Sequence, residues 1–129
     1  MLQFILCLLV VLHGLVHLLY LGQSARRFEL RPGMVWPDGS WAFSKLPGDQ
    51  IIRNLASISC VIAAIGFVLG GAGLLIGQAW WRPLVGAAAV FSSVTFILFW
   101  DGHMRRLNDQ GAIGILINLA ILVAVLVLR

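Results

Sequence analysis

Four long apolar runs constrain the fold of this chain more than any other feature. They cover roughly Gln3–Leu21, Ile51–Ile76, Pro83–Trp100 and Gly111–Leu128. Each has about the 17–25 residues that a helix needs to cross ~30 Å of hydrocarbon. Hydrophobic residues make up 60% of the chain and charged residues 11%, whereas soluble domains are about 45–50% apolar and about 25% charged. The sequence therefore predicts an all-α integral membrane protein, a single four-helix bundle over residues 1–129 with one longer aromatic loop between helices 1 and 2.

We expect the first run to be a retained helix rather than a cleaved signal peptide. No basic segment precedes it. Its apolar stretch also exceeds the 7–15 residues that are typical of such a peptide.

The basic residues flank the apolar runs, as topology signals do, so the formal net charge of +4 does not indicate nucleic acid binding. Counting Lys and Arg predicts that the first and third loops are cytoplasmic and that both termini lie outside the bacterial inner membrane. The residues on the loop side are Arg26, Arg27, Arg31, Lys45, Arg53, Arg105 and Arg106, against Arg82 and Arg129 on the other.

Two histidines interrupt the first apolar run. His13 and His17 are four residues apart, which in a helix puts both side chains on one face, a single turn apart. An ionisable side chain at membrane depth is costly unless it faces protein or water. We therefore expect both imidazoles to point into the bundle and to mark its polar site.

Two cysteines, Cys7 and Cys60, fall inside the first and second runs. Counted from the end that these runs share, their depths differ by about 9 Å at a rise of 1.5 Å per residue. That difference disfavours a disulfide. Both are expected to be buried free thiols that pack as small hydrophobic side chains.

The first loop, from Gly22 to Gly48, is the longest connection. Its segment Pro37-Asp38-Gly39 is a strong turn signal that folds Trp36 back toward Trp41. The pattern predicts a small aromatic hairpin or loop at the level of the lipid headgroups. It favours an interfacial aromatic anchor, and a lid over the polar end of the bundle is the alternative.

Small residues predict where the helices pack closely. Gly14 lies beside His13, and the second run carries the patterns Gly66-x3-Gly70 and Gly73-x3-Gly77. Glycines at this spacing let the backbones of neighbouring membrane helices approach one another. Near the start of the second run, Arg53 follows Asp49 by four residues, so these two side chains can pair.

An up-down-up-down arrangement brings most polar side chains to the cytoplasmic half of the bundle or near it. The opposite half is mainly Gly, Ala and Leu. This one-sided distribution indicates a pocket or water-filled vestibule that opens to the cytoplasm. The candidate ligand-binding residues are His13, His17, Tyr20, Arg53, Asn54, Ser57, Asp101, His103 and Asn118.

Four interpretations of this cluster stay open. The histidines can bond to Ser, Asn or backbone carbonyls and only fix the packing. The pocket can hold a lipid-like or other small hydrophobic molecule. A metal or haem site would use the His-x3-His spacing with a nearby Asp and His. Acid–base catalysis by His17 or Asp101 would need two groups whose pKa values are pushed apart.

Four stretches of the sequence are distinctive enough to compare with known families. They are LHGLVHLL at the start, WPDGSWAF in the first loop, WWRP in the second and FWDG…INLAILV at the end. In these stretches the chain resembles a group of small bacterial four-helix membrane proteins that are distantly DoxX-like. DoxX-type relatives are associated with quinone-linked redox complexes. The resemblance, which covers most of the chain, implies a quinone-facing or accessory subunit. The expected partners are the lipid bilayer and a hydrophobic small molecule or quinone, in a larger membrane complex or a homo-oligomer. It assigns no catalytic residue, metal ligand or cofactor here.

Two functional hypotheses follow from the sequence. The leading one is a non-catalytic binding or accessory membrane protein whose polar His-lined pocket takes a lipid-like or quinone-like molecule. The alternative is a membrane enzyme or redox protein, in which the His/Asp cluster serves proton transfer or the binding of a metal or haem. The residues that it would use are His13, His17, Asp101 and His103.

Overall fold

The computed structural model describes residues 1–104 and 110–128, and this part of the chain contains four α-helices and no strand. The all-α, four-helix prediction is confirmed, because each helix lies within a few residues of a predicted span. The topology residues Arg105, Arg106 and Arg129 lie outside the described residues. The helices are α1 Leu2–Ser24, α2 Asp49–Leu75, α3 Trp81–Leu98 and α4 Ala112–Val127.

Three of the helices, α1, α2 and α3, are long and apolar enough to cross a membrane. The fourth, α4, is equally apolar in character but shorter, with 16 residues. The outward faces carry many half-exposed Leu, Ile and Val side chains. A surface of this kind suits hydrocarbon rather than water.

The helices pack in chain order, α1 along α2, α2 along α3 and α3 along α4, whereas α1 and α4 touch at few positions. Glycines make the first two contacts close. A Cβ added to Gly14 would lie 2.6 Å from the Cβ of Phe67 on α2. Gly70 of α2 lies equally tightly against Val85 of α3. The predicted role of small residues in helix contact is confirmed at both positions.

The interior consists of two hydrophobic clusters with a polar layer between them. The cluster near the α1–α2 loop contains Trp36 and Phe96, and the cluster at the other end contains Phe67. The two histidine rings lie between these phenylalanines. The His13 ring is 4.9 Å from Phe67 and the His17 ring is 5.7 Å from Phe96, measured between centroids.

The α1–α2 loop, residues 25–48, folds over one end of the bundle. The turn predicted at residues 37–39 is confirmed, and Gly39 takes a positive φ of 75°, which favours glycine. The prediction of an interfacial anchor is wrong for Trp36, which is 0% exposed and packs against Tyr20 and Phe96. Its large ring fills the space between the ends of α1 and α3. Trp41 is the exposed tryptophan of this loop, at 54%.

Polar side chains tie this loop to the helix ends. The fully buried Gln23 donates from Nε2 to the carbonyl of Met34 (3.0 Å) and accepts the backbone N–H of Leu30 at Oε1 (2.9 Å). Trp41 donates from Nε1 to the carbonyl of Ile97, over 2.7 Å. That bond satisfies one of the carbonyls that the end of α3 leaves without a helical partner. The loop therefore serves as the C-terminal cap of α3.

Both cysteines are free and buried, as predicted. The thiol of Cys7 donates to the carbonyl of Gly71 on α2, over 3.2 Å. The Cys60 side chain packs within the hydrophobic cluster near the α1–α2 loop.

Candidate functional site

A buried network of five polar side chains joins three helices in the middle of the bundle. The distance from His13 Nε2 to Asn118 Oδ1 is 2.7 Å, and that from His17 Nε2 to Ser92 Oγ is 2.6 Å. Asn118 Nδ2 donates to Ser92 Oγ (3.0 Å) and to Ser93 Oγ (3.1 Å). His13 is 6% and His17 1% exposed, so the prediction that both imidazoles point inward is confirmed.

The backbone carbonyl of His13 fixes the tautomer of His17. That carbonyl lies 3.0 Å from His17 Nδ1 and can only accept, so Nδ1 carries the hydrogen. In a neutral imidazole the other nitrogen, Nε2, is then an acceptor. The hydroxyl of Ser92 therefore donates to it.

A second carbonyl fixes the orientation of Asn118. Ser93 Oγ donates to the carbonyl of Ala89, over 2.9 Å, so its hydroxyl accepts from the amide Nδ2 of Asn118. The amide oxygen Oδ1 consequently faces His13, and His13 Nε2 must donate to it. Both imidazoles are neutral in this arrangement, since a buried charge needs an opposite charge beside it and no described carboxylate contacts either ring.

Two cavities lie along the seam between α1 and α4. The apolar cavity, about 360 Å³, is lined mainly by Leu, Ile, Val and Ala side chains of both helices, with Trp81 of α3. The polar cavity, about 270 Å³, lies nearer the α1–α2 loop. Its polar lining consists of His13, His17, Tyr20 and Arg31. Both cavities are lined by His13, Val16 and Ile117, so they meet at the level of His13.

Both cavities open toward the outer face of the bundle. Leu9 and Leu12 line the apolar cavity and are 56% and 50% exposed. Ile113 lines the polar cavity and is 53% exposed. Since about half of each side chain is uncovered, the seam is open to the outer face of the bundle.

Four of the sequence-predicted site residues meet at the seam. His13, His17 and Tyr20 line the polar cavity, and Asn118 is hydrogen-bonded to His13. The Tyr20 ring also packs edge-on against Phe96, 4.8 Å between centroids. Three helices and the α1–α2 loop therefore contribute to one pocket.

Arg53 belongs instead to an ion-pair cluster beneath the α1–α2 loop. Its Nε donates to Oδ1 of Asp38 over 2.8 Å, and Arg26 Nη2 lies 2.7 Å from Oδ2 of the same carboxylate. In the described structure the ion pair of Arg53 is thus with Asp38 rather than with Asp49 as expected. Burial raises the pKa of Asp38, but hydrogen bonds and positive charge from Arg53 and Arg26 outweigh it and lower that pKa below its ordinary value.

Asn54 and Ser57 do not reach the seam contacts. Asn54 is exposed and accepts a hydrogen bond from Gln50, over 2.9 Å. Ser57 donates to Ser24 Oγ over 3.1 Å, which joins the loop-side ends of α1 and α2. Ser57 thus contributes to the contact between α1 and α2, and Asn54 lies on the exposed face of α2.

Asp101 and His103 lie in the segment that follows α3. The backbone N–H of His103 donates to Asp101 Oδ1 (2.8 Å), and that of Asp101 donates to Gln110 Oε1 (3.0 Å). These described contacts are separate from the network of His13 and His17. The predicted cluster of two histidines, an aspartate and a third histidine is thus divided between two places.

The sequence candidates omitted Ser92, Ser93 and Arg31. Depth along the helices is the signal that could have found the serines. His17, Ser92 and Asn118 each lie six or seven residues from the same end of their helices. Polar residues at equal depth on neighbouring helices are placed to bond with each other.

Among the described residues, no group of three or more His, Cys, Asp or Glu side chains is arranged to hold a metal ion. No family model, no curated protein and no solved structure matches the chain. The distant likeness to DoxX-type proteins stays a prediction from the sequence.

Proposed function

We propose that this chain is a four-span protein of the bacterial inner membrane that binds a lipid-like or quinone-like molecule in the α1–α4 seam. It acts as a non-catalytic binding or accessory protein, as its distant DoxX-like character also implies. The observation that carries the proposal is the pair of cavities that meet at His13 and open sideways.

The sizes and linings of the cavities support an amphiphilic ligand. A cavity of ~150 Å³ lined by apolar side chains holds a benzene molecule, so the polar cavity of about 270 Å³ is large enough for a substituted ring or a comparable head. The apolar cavity of about 360 Å³ offers leucine and isoleucine walls to a hydrocarbon chain. The polar end of the ligand would therefore lie toward the α1–α2 loop.

The basic residues of that loop support a particular orientation of the protein in the membrane. Arg26, Arg27, Arg31 and Lys45 lie between α1 and α2, on the side of the polar cavity. By the positive-inside rule this side is cytoplasmic and both termini are outside. The 16 residues of α4 measure about 24 Å at 1.5 Å per residue, so the bilayer would thin locally around this helix.

The proposal is tested by recovering what the protein carries. After purification in a mild detergent, native mass spectrometry should show an adduct, and extraction should identify it as a lipid or a quinone. Ala120→Leu narrows the apolar cavity, whereas Ala72→Leu adds the same volume to an exposed position of α2 outside both cavities. We expect Ala120→Leu to lose most of the adduct and Ala72→Leu to keep it.

Two results would overturn the proposal. One is wild-type protein that carries no adduct and binds neither decylubiquinone nor phosphatidylglycerol in titrations. The other is equal occupancy in both variants, which would place the ligand elsewhere. A visible absorbance band or a stoichiometric metal would favour the redox alternative instead.

A further inference from the structure

The network of buried side chains leaves one ring nitrogen of His13 for a ligand. His13 Nε2 donates to Asn118 Oδ1, so Nδ1 of the neutral ring carries a lone pair and can only accept. No hydrogen bond to Nδ1 is present among the described residues. In contrast, both nitrogens of His17 are already bonded, to the His13 carbonyl and to Ser92.

This free acceptor is accessible rather than sealed. Trp36 Nε1 is the one side-chain polar atom in the described part of the chain that is completely buried and has no hydrogen-bond partner. His13 Nδ1 also lacks a partner but is not completely buried. Because His13 lines both cavities, we take Nδ1 to be reached from the seam at the point where they meet.

We propose that the seam selects amphiphiles that carry a hydroxyl group, which donates a hydrogen bond to His13 Nδ1. The ligand class is a hydroxyl on an otherwise apolar body, either a hydroquinone or a long-chain isoprenoid alcohol. This inference rests on the proposed function and narrows its ligand. A quinone carbonyl or an ether oxygen in the same place could not donate a hydrogen bond, so its lone pairs would face the lone pair of His13 Nδ1.

The surrounding network keeps His13 from changing its tautomer, so Nδ1 does not become a donor to a carbonyl or ether oxygen. If the proton moved from Nε2 to Nδ1, the Nε2 lone pair would face Asn118 Oδ1 at 2.7 Å. Turning the amide over would relieve that repulsion, but it would direct Oδ1 at the hydroxyl of Ser93, whose hydrogen is committed to the Ala89 carbonyl. The orientation of Asn118 therefore holds His13 as an acceptor toward the seam.

Matched pairs of ligands test the selectivity on the wild-type protein. The pairs are decylubiquinol with decylubiquinone, and farnesol with farnesyl methyl ether, so that each pair shares its apolar part. Affinities are measured by titration in detergent with native mass spectrometry. We expect the hydroxyl member of at least one pair to bind about tenfold more tightly, because its rival leaves the acceptor unpaired. The pair that binds identifies the source of the ligand.

The variant His13→Met removes the acceptor and puts an apolar side chain of similar length in its place. We expect it to bind both members of the pair with affinities within about twofold of each other, and its thermal unfolding reports whether the fold is intact. The wild-type comparison alone decides the inference if this variant does not fold.

The outcomes separate the two proposals. Equal affinity for both members in the wild type, or tighter binding of the quinone or ether, overturns the hydroxyl selectivity and leaves a binding protein. Failure of all four compounds to bind, together with the absence of any natural adduct, overturns the proposed function itself.

Discussion

The α1–α2 interface and the α1–α4 seam share a helix and are built in opposite ways. Against α2, Gly14 and Gly71 bring the backbones so close that a Cβ added to Gly71 would lie 3.4 Å from the carbonyl oxygen of Cys7. Toward α4, the bond between His13 and Asn118 bridges two cavities. The first contact is close backbone packing around two glycines, and the second is a hydrogen bond flanked by two cavities.

The difference separates the packing that stabilises the bundle from the seam that we propose as the binding site. Hydrocarbon drives no hydrophobic association between helices, so firm contact depends on close backbone approach and on dispersion. The contacts among α1, α2 and α3 have that approach. The helix α4 buries only Asn118 and Ile121 among its described residues, so it is less firmly packed than the other three helices.

The sharpest test of this difference is to add the same side-chain volume in the packed core and at the seam. Ala89 is 0% exposed and packs in the cluster with Phe67 and Val85, whereas Ala120 is exposed at the seam. We expect Ala89→Leu to lower the free energy of unfolding by about 3 kcal/mol through overpacking. Ala120→Leu should change it by less than about 0.5 kcal/mol. Equal losses in detergent unfolding would show that the seam is as tightly packed as the core.

A smaller effect is expected from a single methyl group at the glycine contact. Gly14→Ala places its Cβ 2.6 Å from Phe67 Cβ, so one of the helices must move. We expect a loss of about 2 kcal/mol. Gly86→Ala is the control, because its Cβ would meet only Leu122, at 4.0 Å. That variant should match or exceed the wild type in thermal unfolding, since Ala favours helix over Gly.

We expect the hydrogen bond of the seam to stabilise the bundle less than the packing between α1 and α2. Asn118→Leu leaves the Nε2–H of His13 without its acceptor and removes the amide N–H groups that Ser92 and Ser93 accept. We expect a loss of about 1 kcal/mol, between the average for bonds within membrane helices and the cost of an unpaired buried group. The exposed Asn54→Leu should have almost no effect on the unfolding midpoint. A loss above that of Gly14→Ala would make the polar network, rather than the glycine contact, the main support of the bundle.

The smallest effect belongs to the loop, and it depends on pH. Arg26 and Arg53 lower the pKa of Asp38 below its ordinary 3.8. The carboxylate therefore stabilises the fold above that pH and loses its effect as the pH falls through the lower folded value. We expect Asp38→Asn to cost about 0.5 kcal/mol near neutral pH, and the difference from the wild type to close below pH 3.8. A difference that persists unchanged in acid would assign the role of Asp38 to shape rather than charge.

Much of the fold could be predicted from the sequence because it depends on local patterns. The lengths of the apolar runs gave helix positions to within a few residues, and the four-residue spacing of His13 and His17 gave their shared inward face. Asn118 of the last helix was among the predicted site residues, and it lies in the buried network. These features need only the helical period and the cost of a polar group in hydrocarbon.

The remaining features depend on contacts between distant parts of the chain. Trp36 looked like an interfacial anchor because tryptophans at membrane borders usually are, but the ends of α1 and α3 leave a space that its ring fills. Arg53 has Asp49 one turn away and still pairs with Asp38, which the loop places over it. Neither outcome is encoded in the neighbouring residues.

The amide of Asn118 has one more consequence, for proton transfer between the two histidines. It stands between the two imidazoles, linked to one directly and to the other through Ser92. An amide nitrogen does not readily give up a hydrogen and regain one from the other side, so hopping of H⁺ along this chain of groups stops there. The two stacked histidines therefore do not exchange a proton through Asn118.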